Sequence, residues 1–129
     1  MSTYDVVTAL KWPKSFTFSP AVRAGNLLFI SGTTASDENG KIVGPGDIVA
    51  QTRYIYEKFG KLLASVGADF EHIAQTTEYI TTSENYRKTA DVRREIFKGR
   101  FPASTGVIIK GLLREGALIE ISAVAVLPG

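Results

Sequence analysis

The residue with the clearest chemical potential is Glu120, the one carboxylate in an otherwise apolar segment near the end of the chain. Leu118 and Ile119 precede it and Ile121 follows it. A charge inside such a strand is costly unless it is paired, hydrogen-bonded or in contact with water. Glu120 is therefore either a structural ion-pair partner or a carboxylate that orients water and transfers protons. Burial would raise its pKa toward the range that suits the second task.

A second residue of interest is Arg93, which lies in a helical stripe with spacings of four, three and four residues. The other members of this stripe are Tyr86, Ala90 and Phe97. The arginine either extends out to solvent or reaches a carboxylate at a partly buried site. Spacing alone slightly favours the first interpretation.

Two short polar segments could complete a site. Ser31 and Gly32 end a predicted strand, where the serine offers a hydroxyl and the glycine lets a ligand approach the backbone. Ser104 and Thr105 follow a Phe-Pro turn and could form the polar floor of a pocket. The structural alternatives are a simple strand end for the first segment and a capped turn for the second.

Composition excludes several classes of site. The 129-residue chain has no cysteine, one histidine (His72) and a formal net charge of +2. Disulfides, thiolate nucleophiles and cysteine metal sites are impossible, and no metal, Walker or dinucleotide-binding motif occurs. We therefore expect no metal, no cofactor and no nucleic-acid partner. We see no signal peptide and no apolar run of about 20 residues, so we expect a cytoplasmic protein that does not enter the membrane.

Two helices are predicted within a single domain of residues 1–129. After Asp47, apolar residues recur every three or four positions until Gly67, and these two residues suit a helix start and stop. A second helix is predicted to begin at Ser83, as its N-cap, and to run to about Lys98.

The strand pattern predicts a two-layer α+β domain. The order β-β-α-β-α-β-β places two helices on one face of a mixed sheet. The opposite face, which carries Glu120 in the last strand, is half apolar and has no helix left to cover it. We therefore expect a closed homo-oligomer with Glu120 near the subunit junction. The predicted strands include Asn26–Ser31, His72–Thr81, Ser104–Lys110 and Ala117–Leu127, with a possible extra strand at Tyr4–Val7.

The chain resembles the reactive-intermediate deaminase family (Rid, YjgF-like) over nearly its whole length. The matching segments are AVRAGNLLFISG (21–32), GDIVAQTRYIYEKFGKLLASVGADF (46–70), the FPA turn (101–103) and ALIEISAVAV (117–126). The resemblance implies a chorismate-mutase-like domain with about six strands, assembled as a homotrimer with small-molecule sites between subunits. It also implies hydrolysis of a small imine or enamine to a ketone or enol plus ammonia, without metal or cofactor.

The resemblance also assigns roles to particular residues. In this family a glutamate of the last strand positions the attacking water, and Glu120 matches it. The family's substrate-clamping arginine is replaced here by Ser104, and many members have a tyrosine where this chain has Phe18. Arg93 is the candidate replacement for the clamp. The resemblance implies substrate contacts at Phe18, Ser31 and Gly32. Arg93, from its position in the helical stripe, and the hydroxyls of Ser104 and Thr105 complete the set of candidate substrate-binding residues.

Two other functions stay open at this stage. The missing arginine is compatible with a trimer that binds a small molecule without turnover. Some relatives are credited with ribonuclease activity or translation inhibition, but the nearly balanced charge and the lone histidine disfavour that function here.

Overall fold

The computed structural model describes residues 2–128, which form a six-stranded mixed sheet with its helices on one face. The spatial order is β1-β2-β3-β6-β4-β5, and all neighbours are antiparallel except β4 and β5, which are parallel. This arrangement confirms the predicted α+β class. The elements are β1 (Asp5–Val7), β2 (Ala21–Ala24), β3 (Leu27–Thr34), α1 (Ile48–Ser65), β4 (Ile73–Ile80), α2 (Ala90–Phe97), β5 (Ala103–Ile108) and β6 (Ile119–Val126), with short 3₁₀ turns at Phe70–His72 and Tyr86–Thr89.

Helix α1 begins and ends where its local sequence predicts. The Asp47 side chain accepts a hydrogen bond from the Ala50 backbone N–H at 3.0 Å, which caps the first turn. Gly67 follows the last turn with φ +74°, a conformation that other residues adopt only with strain. One face of the helix, including Ile55 and Phe59, is buried in the core. No helix between residues 2 and 128 is long and apolar enough to cross a lipid bilayer.

Helix α2 is shorter than the sequence predicts. Ser83 does not cap it, because Asn85 adopts a left-handed conformation with φ 60° that a continuous α-helix cannot include. The chain then forms the 3₁₀ turn Tyr86–Thr89 before the α-helix starts at Ala90. The helix ends at Phe97, and its C-cap Lys98 is left-handed with φ 53°. The predicted C-terminal boundary is therefore correct and the N-terminal one is wrong.

The two faces of the sheet differ in burial as predicted. The helix-facing residues of β6 and its extension are Ile119, Ile121, Ala123, Ala125 and Leu127, and none is more than 3% exposed. The opposite face, which we call the outer face, leaves Phe29 and Val126 each 43% exposed. Strand β5 is exposed at all six positions. The outer face is thus partly apolar, and no helix in the described part of the chain covers it.

Candidate functional site

The larger of the two main cavities opens beside the end of β3 and has a volume of about 690 Å³. Three residues singled out from the sequence line it: Phe18, Gly32 and Glu120. Its walls come from the N-terminal loop, from α1, from the loop after β3 and from the loop before β6. The cavity is also lined by Trp12, Phe16, Thr33, Thr34, Ser36, Lys58 and Arg114.

The Glu120 carboxylate lies against the backbone of β3. The pairing of β3 with β6 shifts between Ile30 and Thr33, so the intervening residues form an irregularity opposite β6. A β-carbon at position 32 would lie 3.0 Å from Glu120 Oε2, so glycine permits this approach. Glu120 is half-buried, and this burial raises its pKa above the ordinary range. Within residues 2–128 its carboxylate has no hydrogen bond and no ion pair.

Ser31 acts on the cavity indirectly. Its hydroxyl donates to the Ser19 carbonyl at 2.6 Å, and its backbone N–H donates to the Pro20 carbonyl at 3.0 Å. Both contacts hold the segment that follows Phe18. Ser31 does not line the larger cavity, so the structure places it as a support for the loop.

Three aromatic rings form one wall of the larger cavity. Phe16 and Phe18 stack with centroids 5.2 Å apart, and Trp12 packs edge-on against both at 5.3 and 5.4 Å. The Trp12 indole N–H donates to the Phe18 carbonyl at 2.7 Å, which fixes the loop around this cluster. Sequence reasoning named Phe18 but missed the other two rings. The sequence signal that could have identified them is the close spacing of three aromatic residues in a segment otherwise rich in polar residues and prolines.

Lys58 brings a partly buried positive charge to the same cavity. Its ammonium donates to Thr33 Oγ1 at 2.6 Å and to the carbonyls of Thr34 and Ser36 at 3.0 Å each. These three acceptors are uncharged, and no carboxylate in the described part of the chain lies within 4.0 Å of it. Burial lowers the pKa of Lys58 to about 8, and the positive charge of Arg114 adds to the effect.

The lowered pKa of Lys58 predicts a rise in stability with pH. The unfolded chain holds this proton up to about pH 10.4 and the folded chain releases it near pH 8, so the free energy of unfolding increases between these values. We expect Lys58→Met to lack this increase when chemical denaturation is compared between pH 7.5 and about 9.5, below the range where free tyrosines ionise. Parallel pH profiles for the two proteins would contradict this assignment.

A second cavity of about 350 Å³ contains Arg93 and Ser104. It lies between α2, with the 3₁₀ turn that precedes it, and the strands β4 and β5, of which β5 is the edge strand of the sheet. The Thr76 hydroxyl donates to Ser104 Oγ at 3.0 Å, so this serine is already part of a hydrogen-bonded pair. Ser104 retains its own O–H donor for a ligand.

Arg93 is bound to groups of its own chain. Its Nη1 donates to Thr89 Oγ1 at 2.7 Å and lies 3.5 Å from Glu78 Oε2. Glu78 is only 1% exposed, and its other oxygen accepts a hydrogen bond from the Tyr86 hydroxyl. Burial, followed by this hydrogen bond to Glu78, raises the pKa of Tyr86 to about 12. The arginine therefore reaches a carboxylate at a partly buried site, the second of the two sequence-based possibilities.

The sheet separates the candidate residues into two groups. Ser104 pairs with Thr76 on the helix side, the same side as Arg93, whereas Glu120 is on the outer face. Thr105 is also on the outer face and lines neither cavity. Within one chain the structure brings Phe18, Gly32 and Glu120 together, and separately Arg93 and Ser104.

One group of possible metal ligands occurs among residues 2–128. Asp69, Glu71 and His72 bring one ligand atom each within 4.8 Å of one another on the surface. This grouping is the cap of a 3₁₀ turn: the Asp69 carboxylate accepts from the Glu71 N–H, and His72 Nδ1 accepts from the Asp69 N–H. The capping role accounts for the side chains of Asp69 and His72, and Glu71 is an exposed residue of the same turn.

Comparisons with known proteins agree with this architecture. The family model described as "Endoribonuclease L-PSP" matches residues 11–127. A Yersinia pestis protein of the conserved Rid family, of unknown function, superposes with a TM-score of 0.86 at 28% identity, covering 96% of this chain and 99% of that one.

Two further solved structures are similar at about the same level. A putative endoribonuclease from Thermotoga maritima has a TM-score of 0.84 at 29% identity, with 96% of this chain and 97% of that chain covered. A Mycobacterium tuberculosis member of the YjgF/YER057c/UK114 family has a TM-score of 0.81 at 29% identity, with 96% and 99% covered. The match over most of its length shows that this chain belongs to the Rid (YjgF-like) family, which the matching model describes as endoribonuclease L-PSP.

Proposed function

We propose that this protein hydrolyses an imine or enamine to a carbonyl compound and ammonia, without a metal or organic cofactor. The observation that carries the proposal is Glu120: a half-buried carboxylate that has no ion-pair partner among residues 2–128, lies beside a glycine and faces a cavity. Such a carboxylate can hold water and accept a proton from it. Membership of the Rid family is compatible with this chemistry.

The reaction needs one water and one group that moves protons. Glu120 accepts a proton as water oxygen attacks the C=N carbon, which forms the C–O bond of a carbinolamine and places the electron pair on nitrogen. The nitrogen receives two protons in turn through Glu120, the one taken from the attacking water and then the one from the carbinolamine hydroxyl; as the second is transferred, the C–N bond breaks, ammonia leaves and the C=O group forms. An enamine substrate is first protonated at carbon to give the imine. A raised pKa suits Glu120 to both the accepting and the donating step.

We further propose that the complete site forms between protomers of a homotrimer. Phe29 and Val126 on the outer face are exposed, as is every residue of β5, and such an apolar face is expected to pack against another subunit. Ser104 and Arg93 cannot meet Glu120 through their own sheet. In the proposed assembly, the edge of β5 from one protomer closes the Glu120 cavity of the next and brings Ser104 and Thr105 to the substrate.

The close approach of the Glu120 carboxylate to Gly32 provides a test of whether the position of this carboxylate matters for turnover. We expect Gly32→Ala to lower turnover by roughly tenfold, because the added methyl would lie 3.0 Å from Glu120 Oε2 and push it from its position. Steady-state hydrolysis rates and thermal melts measure the two effects separately. Gly111→Ala is the matched control, since a β-carbon there meets nothing within 4 Å. Full activity in Gly32→Ala would show that the position of this carboxylate does not matter.

The proposed activity is tested by measuring imine decay directly. Imines of several amino acids are generated in situ with a flavin amino-acid oxidase, and their ultraviolet absorbance and the ammonia released are followed with and without the protein. Because imines hydrolyse spontaneously, the supporting result is acceleration over that background in proportion to protein concentration. Decay at the background rate with every imine class, neutral and anionic, would refute the proposal.

A second candidate function is small-molecule binding without turnover. The observation that favours it is Ser104 in place of an arginine clamp, already hydrogen-bonded to Thr76. RNA cleavage, which the name of the matching family model suggests, has less support, because the sole histidine lies in a capped surface turn and lines neither cavity.

A further inference from the structure

Among residues 2–128, the smaller cavity offers a substrate carboxylate no positive charge that is not already balanced by an acid of the chain. Ser104 carries no charge, and Arg93 is engaged by Thr89 Oγ1 and by the buried carboxylate of Glu78. Because the buried carboxylate of Glu78 already balances the charge of Arg93, a second carboxylate would gain little net attraction there. Another residue must therefore hold an anionic substrate, if the site takes one.

Arg114 has the required properties and lies in the same cavity as Glu120. It belongs to the loop between β5 and β6 and is partly buried, so its side chain is already restricted. Its one hydrogen bond is a long contact of 3.4 Å from Nη1 to the Gly40 carbonyl, and no acid within residues 2–128 forms an ion pair with it. A guanidinium has five N–H donors, so most of this one is available to a ligand.

The other cations of the cavity are less suited to bind an anion directly. Lys58 uses its three donors on neutral oxygens, although its charge still adds positive potential. Lys11 pairs with Glu38 at 3.2 Å. Lys61 is exposed, where its charge is screened by water. The guanidinium of Arg114 is therefore the best-placed anion-binding group.

The shape of the cavity indicates what else the ligand carries. Its volume of about 690 Å³ falls within the ~300–1,000 Å³ of pockets that enclose ligands much larger than a three-carbon imine. The wall formed by Trp12, Phe16 and Phe18 offers aromatic faces and edges, and Phe18 is 50% exposed. An aromatic group fits this wall better than a small aliphatic one.

We propose that Arg114 binds the substrate carboxylate and that the ring cluster of Trp12, Phe16 and Phe18 receives an aromatic side chain. This inference rests on the proposed hydrolysis and specifies its substrate class: the imine or enamine of an aromatic 2-amino acid, with the aromatic 2-oxo acid as product. Carboxylate, ring and reacting carbon would then lie in one cavity, with Glu120 directing water to the C=N bond.

Product analogues test the inference independently of turnover. The chain has one tryptophan, and Trp12 lines the cavity, so its fluorescence reports occupancy of this site. We would titrate 2-oxo-4-phenylbutanoate, the neutral ketone 4-phenyl-2-butanone and pyruvate, with calorimetry as a second readout. The oxo acid is expected to bind about ten- to a hundredfold more tightly than the neutral ketone, as one charge-assisted contact provides. Pyruvate, which lacks the ring, is expected to bind more weakly than the aromatic acid by at least about tenfold.

Two arginine variants and one control locate the anion site. Arg114→Gln is expected to bind the aromatic acid and the neutral ketone equally, and Arg114→Lys to recover part of the difference, because it keeps the charge but not the fork. Arg87→Gln, an exposed arginine that lines neither cavity, should behave as wild type. Unchanged affinity of Arg114→Gln for the acid, or equal binding of acid and ketone by wild type, overturns the inference. Equal binding of pyruvate and the aromatic acid overturns the proposal that the ring cluster receives an aromatic side chain.

The outcomes separate this inference from the proposed function. Selective binding that depends on Arg114, without acceleration of imine decay, supports the anion site and refutes hydrolysis. Accelerated decay that is insensitive to Arg114→Gln, for anionic and neutral imines alike, supports hydrolysis and refutes the anion site.

Discussion

Replacement of Glu120 by glutamine is expected to reduce imine hydrolysis by about 10²–10⁴-fold, the usual contribution of a positioned general acid–base group. Glutamine has nearly the same shape and fits beside Gly32, so the cavity keeps its form, but the amide cannot accept a proton from water. Turnover is measured by ammonia release over the spontaneous background. Glu115→Gln is the matched control, because Glu115 is exposed, has no ion pair among residues 2–128 and does not line the cavity. Unchanged turnover in Glu120→Gln would show that Glu120 does not act as the proton-accepting group of the reaction.

The same substitution should not destabilise the fold. Because burial raises the pKa of Glu120, the folded chain holds a proton in a pH interval where the unfolded chain has lost it. In that interval the free energy of unfolding falls as pH rises, so the ionised carboxylate costs stability at neutral pH. Glutamine removes that cost, and the melting temperature should be equal or slightly higher. A clear loss of stability would instead indicate a structural role for the carboxylate.

The pH dependence of activity provides a further readout of Glu120. The base form is required for attack, so the rate should fall as pH decreases through the pKa of this residue, with a midpoint above the usual value of about 4.3 for a glutamate. The residual activity of Glu120→Gln should not show this fall in rate at low pH. If the fall persists in the variant, another ionisable group causes it.

Elements with local signals were predictable from the sequence. Asp47 and Gly67 mark the ends of α1 because capping and left-handed backbone depend on the residues at those positions. The alternation in β6 indicated which side chains are buried and that Glu120 faces the uncovered side. By contrast, the break at Asn85 depends on one residue adopting a left-handed conformation, which asparagine permits but does not require.

The site was only partly predictable because its contacts join distant segments. The stripe of α2 showed that Arg93 is unusual, but its partner Glu78 lies on β4, and only packing of α2 on the sheet brings them together. The available sequence signal for Glu78 was the alternation along β4. This alternation places Glu78 on the same side of the strand as Thr76 and Ile80, which are both buried. Arg114 gave no sequence signal, because its proposed role in anion binding depends on the position of a loop that has no periodic pattern.

Replacement of Arg93 by alanine is expected to destabilise the protein by about 3 kcal/mol, the lower end of the range for leaving one member of a buried ion pair alone. Glu78 would keep its hydrogen bond from Tyr86 but lose its only cation within the described residues. For a domain of this size the loss corresponds to a fall of roughly 10 °C in melting temperature. Chemical denaturation at pH 7 measures the change in the free energy of unfolding.

The adjacent Arg94 is the matched control for Arg93. It pairs with Asp91 at 2.7 Å on the same helix, but both side chains are more than 60% exposed, so Arg94→Ala should cost about 0–1 kcal/mol. Adding Glu78→Gln to Arg93→Ala should recover part of the loss, because the amide still accepts from the Tyr86 hydroxyl without requiring a counter-charge. Equal effects of the two arginine variants would mean that solvent already screens the Arg93–Glu78 pair. Arg93 would then be available to bind a substrate carboxylate, and the assignment of that role to Arg114 would lose one of its supports.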